Sequence, residues 1–242
     1  MIEITVILDE VKKIREADIF DLKNERFLEK FIADLGLYPK KPQALAQFPK
    51  ELHEYCDKGL RIWQYPNQLS KLAIKLTEYE IHKYLEIGSA RCGTLIFLHE
   101  YLSRFNDIIS MGVDCCEQDY NVKKYISMSP YISNIQCTSN KLFKHVSASS
   151  EFDLVLIDAD HSYPSVKADF EMVKDKTKAV MFHDIVNKHC NGSIKFWLEF
   201  KEKYSDQYDI FEFIDQYDEV YQRTKKTYLG IGLAVKKGAF NV

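Results

Sequence analysis

The chain has 242 residues, 46% of them hydrophobic and 29% charged, with a formal net charge of −3. That length suits one α/β domain with an appendage, the mixed charge leaves no electrostatic footprint for nucleic acid, and no run approaches the ~20 apolar residues of a membrane span. Cys56, Cys92, Cys115, Cys116, Cys137 and Cys190 show no C-x-x-C spacing and two of them are adjacent, so free thiols in a reducing, cytoplasmic compartment are expected.

Residues 1–80 read as an N-terminal helical extension. Residues 1–6 lack the basic region and long apolar core of a secretory signal. Apolar positions recur at three- and four-residue spacing over residues 17–36, which predicts an amphipathic helix stopped at Gly36. Tyr38-Pro39-Lys40-Lys41-Pro42 breaks it, a second helical stretch covers residues 49–58, and a third runs from Asn67 through Ile74 toward Tyr79. Between the last two, a loop gathers Trp63, Gln64 and Tyr65. Packing is the expectation for Tyr65, whereas Trp63 either packs or shapes a ligand pocket. Amphipathic helices outside a complete core must bury their apolar stripe, here as a lid over a pocket or as a homo-oligomer contact.

Residues 81–242 read as a ligand-binding domain. The segment from His82 to Ile87 suits a mostly buried parallel strand, and Gly88 lets the chain turn at its carboxyl end. Gly93 and Thr94 open an apolar helical run to Leu102, whose free amides face the crevice where open α/β sheets bind ligands. The loop reads Gly-x-Ala-x-x-Gly, with Ala90 in place of the middle glycine that lets backbone approach a pyrophosphate. A nucleotide-type ligand without a pyrophosphate is the expectation. A second apolar run, residues 108–114, ends in Asp114, 26 positions after Gly88, where an acid accepts both ribose hydroxyls of an adenosine ligand.

A third run, residues 152–157, delivers Asp158, Asp160 and His161, and a fourth, residues 178–182, delivers His183 and Asp184. Four strands with polar groups at their carboxyl ends make one site. Residues 135–138 are too short and too mixed in polarity to read as a strand; Ser139 and Asn140 beyond them either contact adenine or form a plain turn. In the tail, residues 210–214 and 227–235 are β-rich with no helical pattern between them, and are expected to pair as antiparallel terminal strands.

Leu85-Glu86-Ile87-Gly88 with Gly93, then Gly112-Val113-Asp114, Ile157-Asp158-Ala159-Asp160-His161-Ser162-Tyr163, and His183-Asp184 together resemble the class I S-adenosylmethionine-dependent methyltransferases. The branch most resembled includes the macrocin-type and cephalosporin-hydroxylase-like proteins. The resemblance spans residues 85–196. It implies a doubly wound, Rossmann-like α/β sheet of seven strands, mostly parallel with the last strand antiparallel, and bound S-adenosylmethionine.

On this reading Glu86, Gly88, Ser89, Gly93, Asp114 and Asp158 are the cofactor-binding residues. Glu86 either faces the methionine amino group or is a strand-end acid held by backbone amides. Asp158, Asp160, His161 and His183 are the candidate catalytic groups, with Asp158, Asp160 and Asp184 as candidate ligands to magnesium or another divalent metal. Catechol-type and macrocin-type methyltransferases use such a metal to bind substrate oxygens and acidify the attacking hydroxyl. The departure is His183-Asp184, where related sites show acid-acid or Asp-Asn; imidazole favours a softer metal or none. Without a metal, His161 or His183 is the natural base.

The expected reaction is direct displacement by the oxygen of a small-molecule acceptor, a sugar, polyol or secondary metabolite, with Tyr163 and the Trp63–Tyr65 loop shaping its pocket. Two other classes fit less of the sequence. A nicotinamide-dependent oxidoreductase conflicts with Ala90 and the β-rich tail, and a non-catalytic ligand-binding protein shares the pocket without the chemistry.

Overall fold

The computed structural model describes residues 3–240. Helix α1 (Ile4–Glu16) is followed by a short 3-10 turn and by α2 (Glu25–Asp34), α3 (Pro42–Leu45) and α4 (Pro66–Leu76). Strands and helices then alternate: β1 (Lys83–Ile87), α5 (Gly93–Leu102), β2 (Ile109–Asp114), α6 (Tyr120–Ser127), β3 (Ile132–Gln136), β4 (Phe152–Ile157), α7 (Tyr163–Val173), β5 (Thr177–His183) and α8 (Asn191–Tyr204). The chain finishes with β6 (Tyr208–Phe213), α9 (Asp218–Thr224) and β7 (Ile231–Lys236).

Among the described residues the strands form one seven-stranded sheet in the order β3-β2-β1-β4-β5-β7-β6. The pairings from β3 to β5 are parallel, and β7 runs antiparallel between β5 and β6. Every residue of β4 is buried, as a central parallel strand covered on both faces requires. Strand order reverses between β1 and β4, and ligands of open α/β sheets bind outside the carboxyl ends of the strands at such a point.

Three sequence expectations are corrected. Residues 135–138 fall partly in β3, an edge strand in which Ile132 alone is fully buried, so its residues carry no alternating pattern. The tail strands pair as expected but α9 lies between them; it has one buried residue, Val220, too few to produce a period. In the extension, the helix expected over 17–36 is a turn at Asp21–Lys23 followed by the shorter α2, and α1 ends before it begins. The Asn24 side chain accepts from Phe27 N and starts α2 there. The expected stop at Gly36 stands, with φ of +97°, and the stretch at 49–58 is a 3-10 helix, Lys50–Tyr55.

The extension is part of the main core. Ile7, Val11 and Ile14 of α1 are at most 1% exposed, and α1 packs on α5 and α6 while α4 packs on α5, β6 and β7. Every residue of α5 except Thr94 is buried as a result, which explains why that helix carries no polar stripe for solvent and why its two ionisable groups, His99 and Glu100, are partnered inside. Arg15 of α1 reaches α5, donating from Nε and Nη2 to the two carboxylate oxygens of buried Glu100 at 2.7 Å each. Deletion of residues 1–55 is therefore expected to uncover the outer face of α5 and produce an aggregating protein; a monodisperse, cooperatively unfolding truncate in size-exclusion and thermal measurements would contradict this.

Candidate active site

A cavity of about 650 Å³ opens at the carboxyl ends of β1, β2, β4 and β5. The glycine loop forms its floor. Gly88 has φ of +94°, and an added Cβ would lie 2.2 Å from the Asp158 carbonyl oxygen, so the turn after β1 is pressed against the end of β4. At Gly93 a Cβ would lie 2.5 Å from Leu60 O and 2.6 Å from Arg61 O. The loop before α4 thus sits directly on the start of α5, and Tyr38, Arg61 and Trp63 from the extension line the cavity.

Asp114 ends β2 beside this loop. Its Oδ2 accepts from Ala90 N at 2.8 Å and its Oδ1 from Cys116 N at 2.7 Å, so two amides aim the carboxylate before any ligand arrives. Ser89 is held by Asn134, which donates to Ser89 Oγ at 2.7 Å. Glu86 is 2% exposed and accepts from the Tyr84 hydroxyl at 2.6 Å. Burial pushes its pKa up to about 8, the nearby Asp158 adding to the rise and the Tyr84 hydrogen bond opposing it.

The opposite wall carries a second cluster. Asp158 at the end of β4, His161 three residues on, and His183 and Asp184 at the end of β5 place one ligand atom each within 4.8 Å of one another. His161 Nε2 lies 3.3 Å from Asp158 Oδ1 and 2.9 Å from Asp184 Oδ2, while His183 Nδ1 lies 2.9 Å and 3.5 Å from the same two atoms. Neither nitrogen is aligned for a hydrogen bond with any partner, though both are buried. At these separations hydrogen bonding, though off-line, and opposite charge both favour the protonated imidazole. Asp158 and Asp184 hold the His161 pKa up at about 9 against the effect of burial. Burial works against a charged His183 too, and the same carboxylates outweigh it, keeping that pKa well above the ordinary imidazole value. Burial would raise the Asp184 pKa, but the two imidazoles hold it well below the usual carboxylate range.

Asp184 has φ of +60°, an uncommon conformation outside glycine, and its carboxylate accepts from Asn187 Nδ2 at 2.8 Å and Cys190 Sγ at 3.1 Å. His183 is fixed from the other side: its Nε2 lies 2.7 Å from Gln64 Oε1, and Gln64 Nε2 donates to Gln68. The extension therefore orients a histidine of the sheet.

Glu86, Gly88, Ser89, Gly93, Asp114, Asp158, Asp160, His161, His183 and Asp184 all line this one cavity. Asp160 does not join the cluster, because its carboxylate accepts from Ser162 N, Ser162 Oγ and Ser165 Oγ. Ser139 lines the cavity and Asn140 does not. Tyr163 opens α7 away from it, its hydroxyl donating to Glu199, and buried Tyr65 packs edge-on against Phe48 and Tyr217. Asn134 and Asn187 were invisible as site residues in the sequence, and Gln64, inside the loop expected to shape the pocket, gave no sign of its partner: single amide groups carry no spacing signal until the fold brings them in.

A family model described as a methyltransferase domain matches residues 85–185. No curated protein matches the chain in sequence. Among solved structures, the O-methyltransferase TomG from Streptomyces achromogenes, in complex with S-adenosylmethionine, superposes with a TM-score of 0.54 at 14% identity, covering 87% of this chain and 96% of its own. A protein from Klebsiella pneumoniae assigned as an O-methyltransferase superposes at 0.50 and 14% identity over 96% of both chains. One from Pyrococcus horikoshii assigned as an RNA methyltransferase does so at 0.51 and 9% identity, covering 88% of this chain and 98% of its own. At such identities the likeness is one of fold, and acceptor chemistry does not travel with it. The matched segment runs from β1 to just beyond β5 and so contains the strand ends that build the cavity: over residues 85–185 the chain is similar to a methyltransferase domain.

Proposed function

We propose that the chain methylates an oxygen of a small-molecule acceptor, a sugar or polyol hydroxyl, with the help of a divalent cation seated among Asp158, His183 and Asp184. The observation that carries this reading is the convergence of two carboxylates and two buried, unaligned imidazole nitrogens on one wall of the cofactor cavity. Two carboxylates and two imidazoliums make a neutral group, and exchanging two protons for one doubly charged cation leaves that neutrality intact. Such a donor set suits manganese, iron or zinc as well as magnesium. The cation would supply the positive charge that acidifies a bound hydroxyl.

The chain's own residues supply the rest. Glu86 receives the methionine ammonium and Asp114 the ribose hydroxyls, which leaves the sulfonium methyl between the glycine loop and the cluster. His161 turns its buried Nε2 toward Asp158 and Asp184, so the acceptor hydroxyl would enter the cluster beside them to reach it. With the carboxylates neutralised His161 loses the charges that hold its proton and accepts the hydroxyl proton at Nε2. Alignment of nucleophile and methyl at about 3–3.5 Å then accounts for much of the acceleration. Labelled S-adenosylmethionine incubated with a panel of hydroxylated acceptors, with product mass and bond type determined, tests this: an O-methyl product whose formation stops with chelator and resumes with manganese is expected, and label on nitrogen or carbon would overturn it.

Two binding predictions accompany this reading. Asp114→Ala is expected to weaken S-adenosylhomocysteine binding by ~1–3 kcal/mol, because ribose hydroxyls and the Ala90 and Cys116 amides all lose an acceptor; unchanged affinity by calorimetry would remove Asp114 from the site. Glu86 predicts a pH dependence. In the free protein it is protonated below about 8, and the ligand's ammonium favours the ionised form. Binding should release a proton below that pH, and affinity should rise with pH by up to about tenfold per unit and level off above it. A flat profile across roughly pH 6 to 9, the window bracketing that pKa, would place the ammonium elsewhere.

A further inference from the structure

The turn after β2 puts Cys115 and Cys116 on the wall of the same cavity, and methyl transfer gives neither a role. Consecutive side chains of an extended strand point to opposite faces. Here the chain bends immediately after Asp114, and the two sulfurs lie on one side, 3.9 Å apart and exposed. A carboxylate oxygen of Asp114 completes a group of three donor atoms within 4.8 Å of one another.

The sulfur separation suits chelation. Two thiolates on one tetrahedral zinc, each with a Zn–S distance of about 2.3 Å, are held about 3.8 Å apart. The dithiol is therefore already at chelate spacing. Soft sulfur ligands also separate this place from the oxygen- and nitrogen-lined cluster on the opposite wall, which favours harder cations.

We propose that Asp114, Cys115 and Cys116 form a chelating site for a thiophilic cation such as zinc, and that this cation and the methyl-donor cofactor exclude each other. Exclusion follows from the double use of Asp114. Its two oxygens already tie the glycine loop, through Ala90 N, to the dithiol turn, through Cys116 N, so only its remaining lone pairs are open to a ligand. A cation drawing on them takes the acceptor that ribose needs and pulls on the loop beneath it. Binding is proton exchange, each ligating thiol giving its proton to solvent, and involves no oxidant. The exclusion, unlike the chelation, rests on the cofactor lying against Asp114.

The test uses the full-length, reduced, chelator-treated protein titrated with cadmium, a spectroscopic substitute for zinc, while the thiolate-to-metal absorbance in the near ultraviolet is followed. The same titration is made on the Cys115→Ser/Cys116→Ser double variant, whose substituted positions are exposed and leave the core untouched. Expected is a saturable band in the wild type that zinc removes and that the double variant lacks, together with a roughly tenfold or greater loss of S-adenosylhomocysteine affinity on saturation with cadmium, absent from the double variant. A band that persists in the double variant would put the metal on another thiol and overturn the site. A band with unchanged S-adenosylhomocysteine affinity would overturn the exclusion. Binding of S-adenosylhomocysteine to the metal-free protein is read in the same series, so failure of the cofactor reading shows separately from failure of the dithiol site.

Discussion

Gly88→Ala is expected to destabilise the protein by about 3 kcal/mol or more and to abolish cofactor binding. Two costs add. A φ of +94° lies where an L-residue stores roughly 1–3 kcal/mol of strain, and the new methyl would stand 2.2 Å from the Asp158 carbonyl oxygen and 2.5 Å from Ala159 Cα. Both are backbone atoms of the segment that carries the Asp158–His161 cluster, so they cannot rotate aside as a side chain would, and overpacking of this kind costs a further ~1–3 kcal/mol. The relaxation that relieves the overlap moves β1 away from β4, since Asp158 N donates to Ile87 O at 2.8 Å. Chemical denaturation and S-adenosylhomocysteine calorimetry on one sample would check both effects. Wild-type stability together with wild-type affinity would show that the loop does not form the cavity floor.

Asp184→Asn is expected to lower turnover by roughly 10²–10⁴-fold while leaving S-adenosylhomocysteine affinity close to that of the wild type. Asparagine is chosen because it tolerates the left-handed backbone at this position and keeps one acceptor for Asn187. The loss follows from charge: with a single carboxylate left, two imidazoles no longer face a matched pair of anions, and a cation seat loses one of its anionic ligands. On the proposed reading the cofactor is held by Glu86 and Asp114, at the other end of the cavity. A variant that loses cofactor affinity as much as turnover would place Asp184 in the cofactor site instead.

The parts of the fold legible in the sequence are those buried on both faces. Strands β1, β2, β4 and β5 read directly because central parallel strands are continuous apolar runs, and their terminal Asp114, Asp158, His183 and Asp184 stand out against that background. The edge strand β3 was missed because its residues, from Ser133 to Gln136, are half-buried or exposed, and α9 because one buried side chain cannot set a period. The site was legible as a list but not as a grouping. Asp160 and His161 are sequence neighbours at the same strand end, and only backbone geometry sends one to Ser162 and Ser165 and the other to Asp184. Gln64 lies in the loop expected to shape the pocket, yet nothing local points to the histidine it fixes, 119 residues away. The extension was legible as helical and apolar on one stripe, whereas its partner face on α5 emerges only once the layers are stacked.

The most direct test of the cation-assisted reading is the divalent metal content of the protein at equilibrium. Wild-type protein, His183→Ala and Asp184→Asn, each stripped with chelator and dialysed against manganese, would be assayed by elemental analysis beside S-adenosylhomocysteine binding on the same samples. The account predicts one manganese per chain at the cluster in the wild type, its loss in both variants, and cofactor binding in all three. Cofactor binding with no manganese retained by the wild type, or with the same manganese content in all three proteins, would contradict it.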